Sequence, residues 1–225
     1  MVKSLMKWSE PNFSPNNEFQ TLLPLPSKFY LRPAPVVAKA LLGKGLYIKQ
    51  NDNELLCQIV EVEAYLGDSD PASHAYRGPR TRNQSMFETG GTCYVYLSYG
   101  VNHCMNVVTD KKGVGAAVLI RAAIPLVGLP LFFKRRRKTP SQREKDLKSL
   151  MNGPGKLTQS LGIDLKYDGM RFDQPDLKIV DLNCKVPKQL IGISPRIGIS
   201  KAKDYPYRFF INSCAYISRP NFFRL

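Results

Sequence analysis

Histidine is nearly missing from this chain, with two among 225 residues, His74 and His103. No two of the five cysteines (Cys57, Cys93, Cys104, Cys184, Cys214) stand at the two-to-four-residue spacing of a zinc ligand set, so neither a metal nor any other cofactor is expected. A Gly-x-Ser-x-Gly turn is absent, and Gly153-Pro154-Gly155-Lys156 is too short for a Walker-type loop. These absences exclude the common serine-hydrolase and nucleotide-hydrolase designs. No stretch approaches 18 uninterrupted apolar residues, and the first residues lack a basic-then-apolar export pattern, so membrane insertion is not expected. Acids are scarce too: 18 Asp and Glu face 33 Lys and Arg, a formal charge of +15. That imbalance points to a polyanionic partner, nucleic acid first. An odd number of scattered cysteines fits a reducing, intracellular compartment.

What is present suffices for one substantial core, since a chain of this length buries roughly 70% of its unfolded surface. There are no internal repeats and no dividing linker. Residues 1–27, rich in Ser, Asn and Pro, predict a poorly structured arm, and residues 28–225 the domain, with order beginning near Phe29. Helical spacing over 35–42 starts on prolines and stops at Gly43. Residues 46–49 and 55–66 flank Asn51-Asp52-Asn53 and predict a hairpin. The irregular stretch 67–91 carries a cationic segment, Arg77 to Asn83, and its length marks it as functional. Residues 92–99 alternate, with Cys93, Val95 and Leu97 toward the core and Tyr94, Tyr96 and Ser98 the other way. Gly100-Val101-Asn102 turns that strand into 103–108, a second hairpin with Tyr99 and Val101 near its tip. A strand over 116–122 carries Arg121 in apolar surroundings. The cations 134–138 read as a solvated loop. Thr139, Pro140 and Gln142 form a capping box for a helix ending before Gly153, where a second short helix starts. Short strands follow over 177–182 and 208–211, with Arg196-Ile197-Gly198-Ile199 between them.

The chemistry concentrates in Val60-Glu61-Val62-Glu63-Ala64-Tyr65-Leu66-Gly67. As a strand it places Glu61, Glu63 and Tyr65 on one face and Val60, Val62 and Ala64 on the other. A solvated edge strand would explain that face blandly. The sequel, with Asp68, Asp70, His74 and the cationic loop, is instead suited to an anionic substrate. A carboxylate beside an arginine can activate water for attack at a sugar carbon, which describes N-glycosidic cleavage. Carboxylates two apart on a strand, about 6.6 Å along the backbone, could also form a glycoside-hydrolase pair, though a polysaccharide hydrolase gives no reason for the charge. A non-catalytic nucleic-acid-binding module, its aromatics stacking on unpaired bases, is the rival from another class.

Blocks running in order from about residue 29 carry a resemblance: Glu61 to Gly67, Asp70-Pro71-Ala72-Ser73-His74, Arg82-Asn83, Met86-Phe87, Tyr94 to Gly100, Asn106, Leu119-Ile120-Arg121-Ala122 and Gly153 to Leu157. Together they resemble the alkyladenine (3-methyladenine, or methylpurine) DNA glycosylase family. The resemblance implies a single mixed α+β domain with a curved antiparallel β-sheet, flanking helices and a protruding β-hairpin inserted into DNA. It further implies monofunctional hydrolysis of damaged purines in double-stranded DNA by a monomer, without metal. Glu63 is similar to the family's general base, and Arg121 to the residue placing the water and carboxylate. Tyr65, Tyr96 and His74 resemble the pocket for the flipped base, and Asn106 the residue rejecting guanine. Ile217 is similar to the residue whose carbonyl meets the water. Tyr99 resembles the side chain that fills the vacated place in the duplex, with Val101 and Arg82 as further DNA contacts. Glu61 is expected to be structural, paired with an arginine. The chain departs from the pattern at Val101, where methionine is usual, and at Gly78-Pro79-Arg80-Thr81, where Thr-Pro-Arg is expected.

Overall fold

The computed structural model describes residues 22–218. Its centre is the strand that carries the two glutamates. β1 (Gly45–Gln50) and β2 (Asn53–Leu66) pair as the expected antiparallel hairpin, with Asn51 in the left-handed conformation that asparagine tolerates. β2 is long enough for three partners. Its first half lies beside β1, residues 61–63 meet β9 (Arg208–Ile211) on the same edge, and β5 (Ala116–Val127) runs along the other edge from Leu56 to Leu66. A solvated edge is therefore ruled out for Glu61 and Glu63, which have no exposed surface.

β3 (Cys93–Ser98) and β4 (Asn102–Thr109) form the second hairpin and join the sheet through β5. On the far side β1 is followed by β7 (Leu177–Val180) and β6 (Asp173–Gln174), and β8 (Ile191–Ser194) pairs only with β9. Every pairing is antiparallel. The result is a curved α+β domain.

The helices cover one face. α1 (Ser27–Tyr30), α2 (Ala34–Leu41), α3 (Leu129–Arg135), α4 (Glu144–Met151) and α5 (Pro154–Leu161) contribute Tyr30, Val37, Leu41, Phe132, Leu150, Leu157 and Leu161 to a core with Val60, Val62, Val118 and Ile120. Burying these apolar side chains at about 1.5–3 kcal/mol each is the main force holding β2 at the centre. The opposite face is covered at one end by residues 67–91, whose Ala75 and Met86 pack on Tyr94, Val108 and Ala117. Among the described residues no helix is long and apolar enough to cross a membrane.

Several local expectations are corrected. Residues 1–21 of the predicted arm lie outside the described residues, but 22–27 are ordered: Pro24 bridges Val180, and Leu25 N–H donates to Ile179 O at 2.8 Å. The capping box at Thr139 does not form. Ser141 takes over the local bonding, accepting from Arg143 N–H at 3.1 Å and donating to Asp146 at 2.7 Å, and the helix starts at Glu144. Only part of the 134–138 run is the expected solvated loop: residues 136–138 follow the helix, with Arg137 and Lys138 exposed. Lys134 and Arg135 close α3, and Arg135 donates to Ser160 O at 3.2 Å and to Gln50, tying the C-terminal turn of α5 to β1. β5 runs past Ala122 through Pro125, which sits opposite Cys57. Leu97, expected inside, is 46% exposed, because the hairpin outruns the core on which its alternation depends.

Candidate active site

Two irregularities aim the site. The β2–β5 register slips at Ile59–Glu61 and again at Glu61–Val62, so neither Val60 nor Arg121 has a direct partner across the pair. Such bulges locally re-aim side chains. Arg121 shares its face of β5 with Leu119 and comes to lie between the two carboxylates of β2.

Its Nε donates to Glu61 at 3.1 Å, and its Nη1 lies 3.2 Å from Glu63. Glu61 also accepts from Arg208 Nε at 2.7 Å, from Ser218 Oγ at 2.8 Å and from the Ser218 backbone N–H. Four hydrogen bonds thus converge on Glu61 against two on Glu63, which leaves Glu61 little capacity for acid/base work; it holds Arg121 in place, as the structural expectation had it.

Glu63 is held differently. Oε1 accepts the Ile197 N–H at 2.7 Å, and Oε2 accepts the Tyr65 hydroxyl at 2.9 Å beside Arg121. Burial raises its pKa; Arg121, Ile197 and Tyr65 pull it back and Glu61 pushes it up, leaving it above the usual carboxylate range. Burial also raises the Tyr65 hydroxyl pKa, so that group stays protonated and donates. A carboxylate offers about four acceptor sites; the Ile197 and Tyr65 hydrogen bonds take one on each oxygen, and Arg121 adds an ion pair.

Tyr65, Arg121 and Ile197, which contact the Glu63 carboxylate, line a cleft of about 590 Å³, and Glu63 itself is buried beneath them. Tyr65, His74, Arg82, Tyr96, Tyr99, Asn106 and Arg121 all line the cleft, so the structure brings together most of the residues singled out from sequence. The ring edge of His74 meets Tyr96 with centroids 4.5 Å apart, and Nδ1 lies 2.8 Å from the Tyr94 hydroxyl. Burial and the Arg82 charge lower the His74 pKa, which favours a neutral imidazole at neutral pH. Asn106 is buried, and its Nδ2 donates to Tyr94 O at 3.0 Å, which fixes its amide. These aromatic walls suit a flat ring.

Three of the singled-out residues do not line the cleft: Glu63, buried beneath it, Val101 and Ile217. Val101 is exposed at the hairpin tip, and Ile217 packs against the main core, its chain neighbour Ser218 serving Glu61. Ile197, not singled out from sequence as a site residue, both lines the cleft and donates its N–H to Glu63. The signal for it was the Arg-Ile-Gly-Ile block, whose Gly198 adopts a φ of +77° that favours glycine.

At the tip, Val101 N–H donates to Ser98 O at 3.1 Å across Tyr99 and Gly100, with φ of +49° and +69°. Two positive φ values define a primed hairpin turn that normally takes Asn-Gly, so a tyrosine here is strained. It is also 92% exposed. Beside it a second groove, lined by Arg77, Arg80, Arg82, Lys201 and Lys203 without an acid, adjoins the cleft.

A buried carboxylate and arginine under an aromatic cleft, flanked by a cationic groove, define a hydrolase acting on a flat ring borne by a polyanion. Comparison with known proteins makes this specific. Residues 28–215 match the family model described as methylpurine-DNA glycosylase. Relatives named as candidate 3-methyladenine DNA glycosylases are similar over most of their length. The one from Carboxydothermus hydrogenoformans is 43% identical over 195 residues, covering 87% of this chain and 98% of the relative. Those from Chlorobaculum tepidum (41% over 196 residues, 87% and 90%) and Methanoculleus marisnigri (43% over 199 residues, 87% and 98%) are comparable. The chain belongs to the methylpurine-DNA glycosylase family, and is accordingly a DNA-repair hydrolase of N-glycosyl bonds.

Proposed function

We propose that the protein turns alkylated or deaminated purines out of duplex DNA into the cleft and hydrolyses the bond between base and sugar, leaving an abasic site. The observation that carries this is the buried Glu63 carboxylate, hydrogen-bonded by Ile197 and Tyr65 and ion-paired with Arg121, which leaves it acceptor capacity for a water. A water seated there attacks C1′ of the sugar as its proton passes to Glu63. The glycosidic electron pair leaves with the base, and Arg121 keeps the carboxylate ionised and oriented. Tyr65, Tyr96 and His74 sandwich the extruded base. Asn106, its amide pinned to Tyr94, crowds the exocyclic amino group of guanine, a rejection that stacking alone cannot provide. The cationic groove takes phosphates, and Arg82 stands where groove and cleft meet.

The test is base release. Incubated with freshly methylated duplex, the wild-type protein is expected to free 3-methyladenine and leave alkali-labile abasic sites. Tight lesion binding with no free base would favour the binding-module reading.

Tyr99 fills the gap left by the flipped nucleotide, since its strained, exposed position is otherwise unrewarded. Tyr99→Ser is expected to slow excision from fully paired duplex by about tenfold or more, because unstacking costs a few kcal/mol and a poorly stacked lesion has already met part of that cost. Lesions opposite a gap or mismatch should lose much less. Equal losses on both substrates would assign Tyr99 to hairpin support alone.

A further inference from the structure

Arg196 belongs to neither groove, yet its side chain is wholly buried directly behind the cleft. Its Nη1 donates to Ala64 O at 3.0 Å and pairs with Asp70, to which Nη2 also donates at 2.8 Å. Asp70 in turn accepts from Leu66 N–H at 3.2 Å and Ala72 N–H at 3.1 Å. The guanidinium lies over the Tyr65 ring, 4.5 Å from its centroid, and 5.7 Å from that of Tyr207. Among the described residues Nε has no hydrogen-bond acceptor, which leaves part of the ion's desolvation to the two rings. Burial works against the charge, but Asp70, with help from Tyr65 and Glu63, offsets it and the arginine's pKa lies above its usual value.

Tyr65 lines the cleft and Arg196 does not, so the cation covers the face of the ring turned away from the substrate. A base stacked on the other face would lie about 8 Å from the guanidinium, 4.5 Å plus one stacking distance. A cation on one face of an aromatic ring draws the π electrons toward itself and weakens the attraction of the opposite face for positive charge. Asp70, bonded to the same guanidinium, counters that field.

We infer that Arg196 and Asp70 form a charge pair behind Tyr65 that sets the enzyme's preference between cationic and neutral damaged purines. This rests on the proposed role of the cleft as base pocket. Arg196 is a positioning residue, because it acts through the ring. Alkylated purines such as 3-methyladenine carry a positive ring charge in the nucleotide, whereas hypoxanthine is neutral. Breaking the pair from either side changes the sign of the residual charge behind the ring. Arg196→Met leaves a carboxylate there and Asp70→Asn leaves a guanidinium.

The two variants therefore separate electrostatics from mere damage. Both lose a buried partner, and loss of Arg196 also disturbs the neighbouring Ile197 N–H on Glu63, so both slow excision of every lesion. The ratio of single-turnover rates for 3-methyladenine and hypoxanthine is the informative quantity. Arg196→Met is expected to raise that ratio and Asp70→Asn to lower it, each by about tenfold. Coulomb's law at about 8 Å and an effective dielectric of about 20 sets a ceiling near thirtyfold. Arg196→Lys, which keeps the charge, should restore most of the ratio but not the rate. A ratio that moves the same way in both variants, or in neither, overturns the inference. If Arg196→Met does not fold, Asp70→Asn alone decides: a lower ratio supports the pair and any other result refutes it. A wild-type protein that releases neither base would instead sink the proposed function.

Discussion

Glu63→Gln is expected to lower single-turnover excision by a factor of about 10² to 10⁴, the usual contribution of a general base, with lesion binding and fold retained. The substitution keeps shape and one acceptor oxygen, which suffices for the Ile197 N–H. It removes the carboxylate proposed to take a proton from the water, while Glu61 stays engaged with Arg121, Arg208 and Ser218. Arg121 remains paired with Glu61, so no uncompensated buried cation is created. The linkage sign supports stability as well. A carboxylate whose folded pKa is raised is less favourable when ionised than in the unfolded chain, and that penalty, absent at low pH, is complete above the folded pKa. The glutamine variant escapes it at neutral pH, offsetting the lost contacts, so its Tm should fall within a few degrees of wild type. Binding assays on lesion-bearing duplex beside rate measurements check this; wild-type rates from the variant would remove Glu63 from the chemistry.

The second large effect concerns stability. Arg208 is buried, donates to Glu61 at 2.7 Å and to Ser194 Oγ at 3.1 Å, and lies 4.6 Å from the Phe210 ring centroid. Arg208→Met keeps much of the volume but takes one of two cations from a fully buried carboxylate. Breaking such a pair from one side costs about 3–5 kcal/mol, or a Tm lower by about 10 °C in a domain of this size. The surface pair Lys148–Glu144, 2.8 Å apart along one turn of α4, is the control, and Lys148→Ala should cost no more than about 0.5 kcal/mol. Equal shifts in the two variants, measured by thermal melting, would show that the Glu61 cluster does not brace the sheet.

The central strand was legible because its pattern is local: period two alone put Glu61, Glu63 and Tyr65 on one face. What period two could not say is that this face would be buried, because its cover comes from residues 194–208 and 218, over 130 residues along the chain. The same distance hid the Ile197 N–H that bonds Glu63, and left the arginine partner of Glu61 without a number. Local signals failed where a tertiary partner outbid them. Ser141 and Asp146 displaced the cap at Thr139, and Gln50 with the end of α5 recruited Arg135 from what read as a solvated run. The hairpin was readable in outline, but Leu97 followed solvent rather than alternation, beside the exposed tip residues Tyr99 and Val101. His74, Tyr96, Asn106 and Arg121 were found through the family resemblance, and the cleft unites them in a way that no spacing rule states.

The claim that a buried, ionised Glu63 activates the attacking water is tested most directly by the pH dependence of single-turnover excision in wild type and Glu63→Gln. Burial raises the pKa of Glu63, so the base is lost as pH falls through a value above the ordinary glutamate range. The wild-type rate should accordingly decline on the acid side with unit slope, beginning at a higher pH than a solvated carboxylate would give. The residual activity of Glu63→Gln should be flat across that same range. A variant that keeps the acid limb, or a wild type without one, would contradict the account.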